Sequence, residues 1–122
     1  VVLTNRATGK RWPTIGLIDS GARRTLIDRS IASRLGINLN TCEHTSVSGI
    51  LGSGEGYKYN LNIRLRDIPN KDYDSPVVFT DLDSSPVMLL GDELFFSHFK
   101  ILFEGDETFK LKPITRFKVP KQ

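Results

Sequence analysis

The clearest pattern in the chain is a strict alternation. Tyr57, Tyr59, Leu61, Ile63 and Leu65 share one parity, and Lys58, Asn60, Asn62, Arg64 and Arg66 share the other. A strand turns successive side chains to opposite faces, so this segment reads as a strand with one packed face. Val1-Val2-Leu3 predicts another strand, returning through the polar stretch from Asn5 to Arg11, with Gly9 as turn residue, into a strand over 12–18. Pro13 suits the entrance of that second strand. The hairpin delivers the chain directly into Asp19-Ser20-Gly21-Ala22.

Helical signals are few. Asp28 is a good cap, Ile31 and Leu35 fall on one face, and Gly36 can end the turn, which predicts a short helix over 29–35. Ile37 and Leu39 then read as the start of an extended segment. Gly49, Gly52, Gly54 and Gly56 fall within eight residues, and such spacing suits a moving hairpin tip better than a helix or central strand. Pro69 to Ser75 reads as a loop. Val77-Val78-Phe79 and Val87-Met88-Leu89-Leu90 read as short buried strands, and a brief helix is expected over 93–98. Phe99 to Phe103 and Phe109 to Leu111 flank a turn at Glu104-Gly105-Asp106, and Val119 suits a terminal strand. Short strands, two short helices and no repeat predict a mostly-β domain, not a βαβ sheet.

Composition narrows this picture. A length of 122 residues suits one domain over 1–122, with a modest core. Difficult chemistry on so short a chain needs a small site or one shared with a partner. Seventeen Lys and Arg against fourteen Asp and Glu leave a charge of +3. Arg23 and Arg24 form the densest interior basic pair, but Glu104, Asp106 and Glu107 precede the basic tail, so nucleic acid is not an expected partner. Cys42 stands alone, and with only His44 and His98 besides it no zinc-ligand spacing arises; neither metal nor cofactor is expected. No apolar run approaches a membrane span, and no signal peptide is visible, which leaves localisation unassigned. The start at Val1 rather than Met fits excision from a longer precursor carrying a flanking domain or membrane anchor.

Asp19 is the chemical focus. An aspartate among small residues often just caps a turn. Here the apolar run Ile15-Gly16-Leu17-Ile18 aims it into that turn, Gly21 removes bulk beside it, and a second apolar strand ends in another glycine, Gly91. Two strands meeting behind a small catalytic loop would explain both glycines.

At these residues the chain resembles the retropepsin-like aspartic proteases. The likeness rests on Leu17-Ile18-Asp19-Ser20-Gly21-Ala22, the glycine-rich stretch from Ser48 to Gly56, and Ser85-Pro86-Val87-Met88-Leu89-Leu90-Gly91, in that order. It implies a closed β-barrel of the acid-protease fold, with a glycine-rich flap and short helices. It also implies a symmetric homodimer acting on a polypeptide, each protomer supplying one Asp19. Two close carboxylates share a proton, so one can activate water while the other polarises the peptide carbonyl.

By the same resemblance, Ser20, Gly21 and Ala22 support the site, and Gly49, Ile50, Leu51, Gly52, Ser53 and Gly54 form the flap. Leu26, Val87 and Leu89 would line substrate pockets suited to apolar side chains. Where retroviral members carry an acid and an arginine, this chain carries Arg23 and Asp92, which implies an ion pair of inverted sense. The termini, Val1-Val2-Leu3 and Phe117-Lys118-Val119, would contribute strands to the dimer. The alternative is a catalytically weak or inactive peptide-binding or dimerisation module of the same fold.

Overall fold

The computed structural model describes residues 1–19, 22–47, 54–66, 71–82 and 87–91, together with the strand backbones of 99–104 and 108–113. Its first hairpin joins β1 (Val2–Thr4) to β2 (Arg11–Pro13), with Leu3 opposite Trp12. The strand expected over 12–18 is split. Pro13 still pairs with Val2 and Thr14 N–H donates to the Val1 carbonyl at 2.8 Å, after which the chain leaves β1 to form β3 (Leu17–Ile18) elsewhere in the sheet.

The alternating segment becomes β6 (Gly54–Arg64), the longest strand, and it pairs antiparallel with β7 (Asp72–Thr80). The loop expected over 69–75 is therefore too long, since the ladder already runs from Asp72 opposite Arg64. Pro76 sits within that ladder, opposite Asn60. On its other edge β6 carries two partners end to end: β1 beside its C-terminal half and β5 (Glu43–Val47) beside its N-terminal half. Since β1 lies between β2 and β6, Val1-Val2-Leu3 offers no open edge. The expectation that these residues extend a sheet between protomers is not met, because their hydrogen bonds are used within the chain.

Along the main path the strand order is β2-β1-β6-β7-β4-β8-β3, with β4 at Thr25–Asp28 and β8 at Met88–Leu90. The path ends at β2 and β3 without joining them, so among the described residues the sheet of this mostly-β fold is curled into a half-barrel. β9 (Phe99–Glu104) and β10 (Thr108–Pro113) pair antiparallel as the predicted terminal hairpin. The helix expected over 93–98 and the strand at Val119 lie outside the described residues.

One face of the sheet holds the main core. Leu3, Ile27, Leu61, Ile63, Val77, Phe79, Met88 and Leu90 pack there with Ile31, Ala32 and Leu35 from helix α1 (Ser30–Arg34). Each of these side chains larger than alanine contributes roughly 1.5–3 kcal/mol when removed from water. The helix ends as expected at Gly36. Its φ of +70° lets Gly36 N–H reach the Ser33 carbonyl and Ile37 N–H reach that of Ala32, a paired closure that buries Ile37. The last free carbonyl, Leu35, accepts from Asn5 Nδ2 at 2.8 Å and Thr8 Oγ1 at 2.9 Å, so the first hairpin also seals the helix. Beyond it, the extended segment expected from Leu39 is instead a 3₁₀ turn over Leu39–Thr41, nucleated by Asn38, whose side chain accepts from Asn40 N–H.

Asp28 couples three elements. Its carboxylate accepts from the Ser30 N–H and hydroxyl at the helix start and from Leu82 N–H at 3.0 Å. Burial alone would raise this carboxyl, but the bonds from Ser30 and Leu82, with Arg29 alongside, hold it below the ordinary aspartate range. A depressed folded value means that the anion contributes stability above the unfolded value of about 4 and loses it as pH falls through the lower folded value. Urea midpoints measured against pH should therefore fall less steeply on the acid side for Asp28→Asn than for the parent. Superimposable acid limbs would contradict this assignment.

Candidate active site

The site is built where sequence-distant strands cross. β8 lies parallel to β3, with Leu89 opposite Leu17 and Leu90 opposite Ile18, and antiparallel to β4, with Leu89 also opposite Leu26. The late strand is thus inserted between two early ones, and the loop joining β3 to β4 must arch over its end. Asp19 opens that loop. Its N–H donates to the Leu90 carbonyl at 3.0 Å, and its own carbonyl accepts from Ala22 N–H at 3.2 Å, closing a turn.

Gly91 clamps the same loop from below. A Cβ built there would stand 2.3 Å from the Arg24 carbonyl oxygen and 3.0 Å from that of Ala22, so only glycine fits. Gly91 N–H also donates to Thr25 Oγ1 at 3.2 Å, a hydroxyl withdrawn completely from solvent. Asp19 is half-buried, and the backbone on both sides of its loop is fixed. Preorganisation of this kind is what a carboxylate needs to act at a set distance from a substrate.

A second apolar face lies beneath the loop. Strand register sets Leu17, Leu89, Leu26 and Val78 in one row across β3, β8, β4 and β7. Leu89 and Val78 are buried, yet neither belongs to the main core cluster. Leu26 is half-buried, while Leu17 is 51% exposed and Val87, two residues before Leu89, is 38% exposed. Asp19 follows Leu17 by two residues, the spacing that returns a side chain to the same face of a strand. The row therefore forms an apolar floor whose most exposed member, Leu17, lies two residues from Asp19.

The hairpin of β5 and β6 leans over the other end of this floor. Gly56 is buried, and a Cβ there would come within 2.5 Å of Val78 Cγ1 and 2.7 Å of Val47 Cγ2, so its bare backbone lets the two strands close on the sheet. Thr45, opposite Gly56, accepts a hydrogen bond from Arg24 Nη1 at 3.0 Å. A single side chain thus joins the Asp19 loop to the hairpin. Farther out, His44 Nδ1 lies 2.7 Å from Glu55 Oε1, and the His44 ring meets Tyr57 edge-on.

Of the residues singled out from sequence, Asp19 and Ala22 share the loop and Leu26 and Leu89 lie in the row beneath it, whereas Val87 sits at the other end of β8, where its carbonyl accepts from Asp28 N–H. Leu89 is 3% exposed, which makes it the bed of the floor more than an open wall. Gly54 opens β6, and Arg23 is exposed on the loop. Ser20, Gly21, Gly49, Ile50, Leu51, Gly52, Ser53 and Asp92 lie outside the described residues, as do Phe117, Lys118 and Val119. Sequence reasoning missed Leu17, Val78 and Thr45. Leu17 was legible from its two-residue spacing to Asp19, whereas Val78 and Thr45 depend on register between distant strands. Among the described residues no group of three or more His, Cys, Asp or Glu is placed to hold a metal ion. Cys42 is half-buried, and burial pushes its thiol up, away from reactivity.

Comparison with known proteins bears on the same elements. The aspartyl protease family model matches residues 7–94, which span the Asp19 loop, the hairpin and β8. Among solved structures, a retropepsin-like aspartic protease from Rickettsia conorii superposes with a TM-score of 0.59 at 15% identity, covering 87% of this chain and 85% of that one. The EIAV protease, complexed with the inhibitor HBY-793, superposes with a TM-score of 0.55 at 18% identity, covering 80% and 84%. No curated protein matches by sequence. At these identities the structural likeness establishes the fold.

Proposed function

The chain belongs to the aspartyl protease family, and from that premise we propose that it is a homodimeric aspartic endopeptidase. The observation that carries the reading is the Asp19 loop itself, held by Leu90 and Gly91 beside an apolar floor. One such loop supplies one carboxylate. A two-fold axis beside it would bring a second Asp19 to the same water molecule.

In that assembly the two carboxylates share one proton, because like charges at short range disfavour double ionisation. The ionised Asp19 takes a proton from water as it attacks the peptide carbonyl. The protonated Asp19 of the partner subunit polarises the carbonyl oxygen, and a proton then passes to the departing amine. Ser20 and Gly21 brace the paired loops, and residues 49–54 close over an extended peptide. Leu17, Leu26 and Val87, over Leu89, favour apolar side chains near the scissile bond.

Arg23 and Asp92 form an ion pair that steadies the loop. Support comes from Gly91, which precedes Asp92 directly and packs against the backbone of Ala22 and Arg24.

The direct test is an unbiased peptide library incubated from acidic to neutral pH with the protein and with Asp19→Asn. Cleavage confined to the parent supports the reading. Equal cleavage by both, under conditions where dimers are present, removes Asp19 from the chemistry. Binding without cleavage by either leaves the peptide-binding module in its place.

A further inference from the structure

We propose that Arg24 is a specificity-determining residue that selects an acidic side chain in the bound polypeptide, next to the apolar residues held by the leucine floor. The inference rests on the endopeptidase reading above and names its substrate class.

The argument starts from position. Arg24 precedes Leu26 by two residues, the strand spacing that keeps both on one face, and Leu26 belongs to the apolar row. The core-side neighbours of Arg24 in sequence, Thr25 and Ile27, are completely buried, whereas Arg24 itself is only half-buried. Its guanidinium therefore stands on the floor side of the sheet, and its bond to Thr45 shows how far it reaches: from the Asp19 loop to the hairpin. An extended peptide lying between that loop and the hairpin must pass it.

Charge and valence then decide what it meets. A guanidinium has five N–H donors in a rigid fork and stays charged at any working pH. Thr45 Oγ1 takes one, and among the described residues no carboxylate lies within ion-pair distance of Arg24 or of exposed Arg23. The described acids nearest in register on the hairpin are engaged elsewhere: Glu55 with His44, and Glu43 with Lys58 at 3.9 Å. Thr45 also fixes the guanidinium in one orientation, so less side-chain freedom is lost when a ligand binds. A carboxylate is the group that matches a held fork, and bonds to it are about twice as strong as neutral ones. The apolar surroundings strengthen the contact by limiting water.

The test uses fluorescent peptides of apolar sequence in which a single Glu, or its uncharged isostere Gln, is walked through each position. Binding to the Asp19→Asn protein is read by anisotropy, and cleavage by the parent is read in parallel. At one or two positions the Glu peptide should bind about tenfold more tightly than its Gln counterpart, the size expected of one charged hydrogen-bonded contact. That ratio should fall to near unity when Arg24→Gln is added and persist in part with Arg24→Lys. Equal binding of Glu and Gln at every position overturns the proposal. So does a preference that survives Arg24→Gln. Selective binding without cleavage would sink the peptidase reading and leave the Arg24 assignment standing, whereas no binding by any peptide sinks both.

Discussion

Asp19→Asn is expected to lower peptide cleavage by about 10³-fold or more while leaving the fold intact. The magnitude follows from the chemistry: acid–base assistance in a transition state is worth roughly 10²–10⁴-fold, and in a symmetric dimer one substitution removes both carboxylates. Asparagine keeps the shape and the backbone bonds of Asp19 to Leu90 and Ala22, so thermal and urea unfolding should change little. Loss of cleavage with an unchanged unfolding midpoint is the expected pair of results. Loss of both together would mean that Asp19 acts on the loop's structure and not on the substrate.

Gly91→Ala should be the most damaging single-methyl change in the described structure. Its new Cβ would fall 2.3 Å from the Arg24 carbonyl oxygen and 2.4 Å from the carbonyl carbon, backbone atoms already tied to β4. Relief requires moving the loop that carries Asp19, so stability and cleavage should fall together. A cost of about 3 kcal/mol or more is expected, at or beyond the usual range for overpacking. Gly16→Ala is the natural comparison. Its nearest neighbour is Leu90 Cδ1 at 2.9 Å, the tip of a side chain that can turn, and a cost of about 1 kcal/mol is expected. Urea unfolding curves for both variants check this. Equal midpoints would mean that the Gly91 contact yields more easily than its geometry implies.

These two residues were legible in sequence for different reasons. Asp19 stood out because an apolar strand ran straight into a small-residue turn, and Gly91 because a second apolar strand ended on it. The alternation from Tyr57 to Leu65 gave β6 its packed face, and the Gly36 helix stop appeared as expected. The errors share a physical cause. The segment from Trp12 to Ile18 reads as one strand because apolar pattern does not report that pairing with β1 ends at Thr14 and that the chain next pairs with β8. Val1-Val2-Leu3 looked like an open edge because sequence does not reveal that β6 is long enough to pair with both β1 and β5.

The apolar floor was hidden in another way. Leu17, Leu89, Leu26 and Val78 look like ordinary core residues, and only strand register separates them from the main core on the opposite face. Thr45 carries no local signal, since its role depends on a contact with Arg24 from 21 residues earlier. Local patterns predict elements well, but a site assembled by crossing strands is written in pairings that sequence periodicity does not contain.

The central claim is that one chain holds half of an active site, and subunit mixing tests it most directly. Parent and Asp19→Asn chains, refolded together in varied ratio at fixed total concentration, form random dimers. If both carboxylates are needed, cleavage should follow the square of the parent fraction, leaving about one quarter of the activity in an equal mixture. A linear decline, with about one half remaining, would mean that each chain carries a complete site and would contradict the shared-carboxylate account.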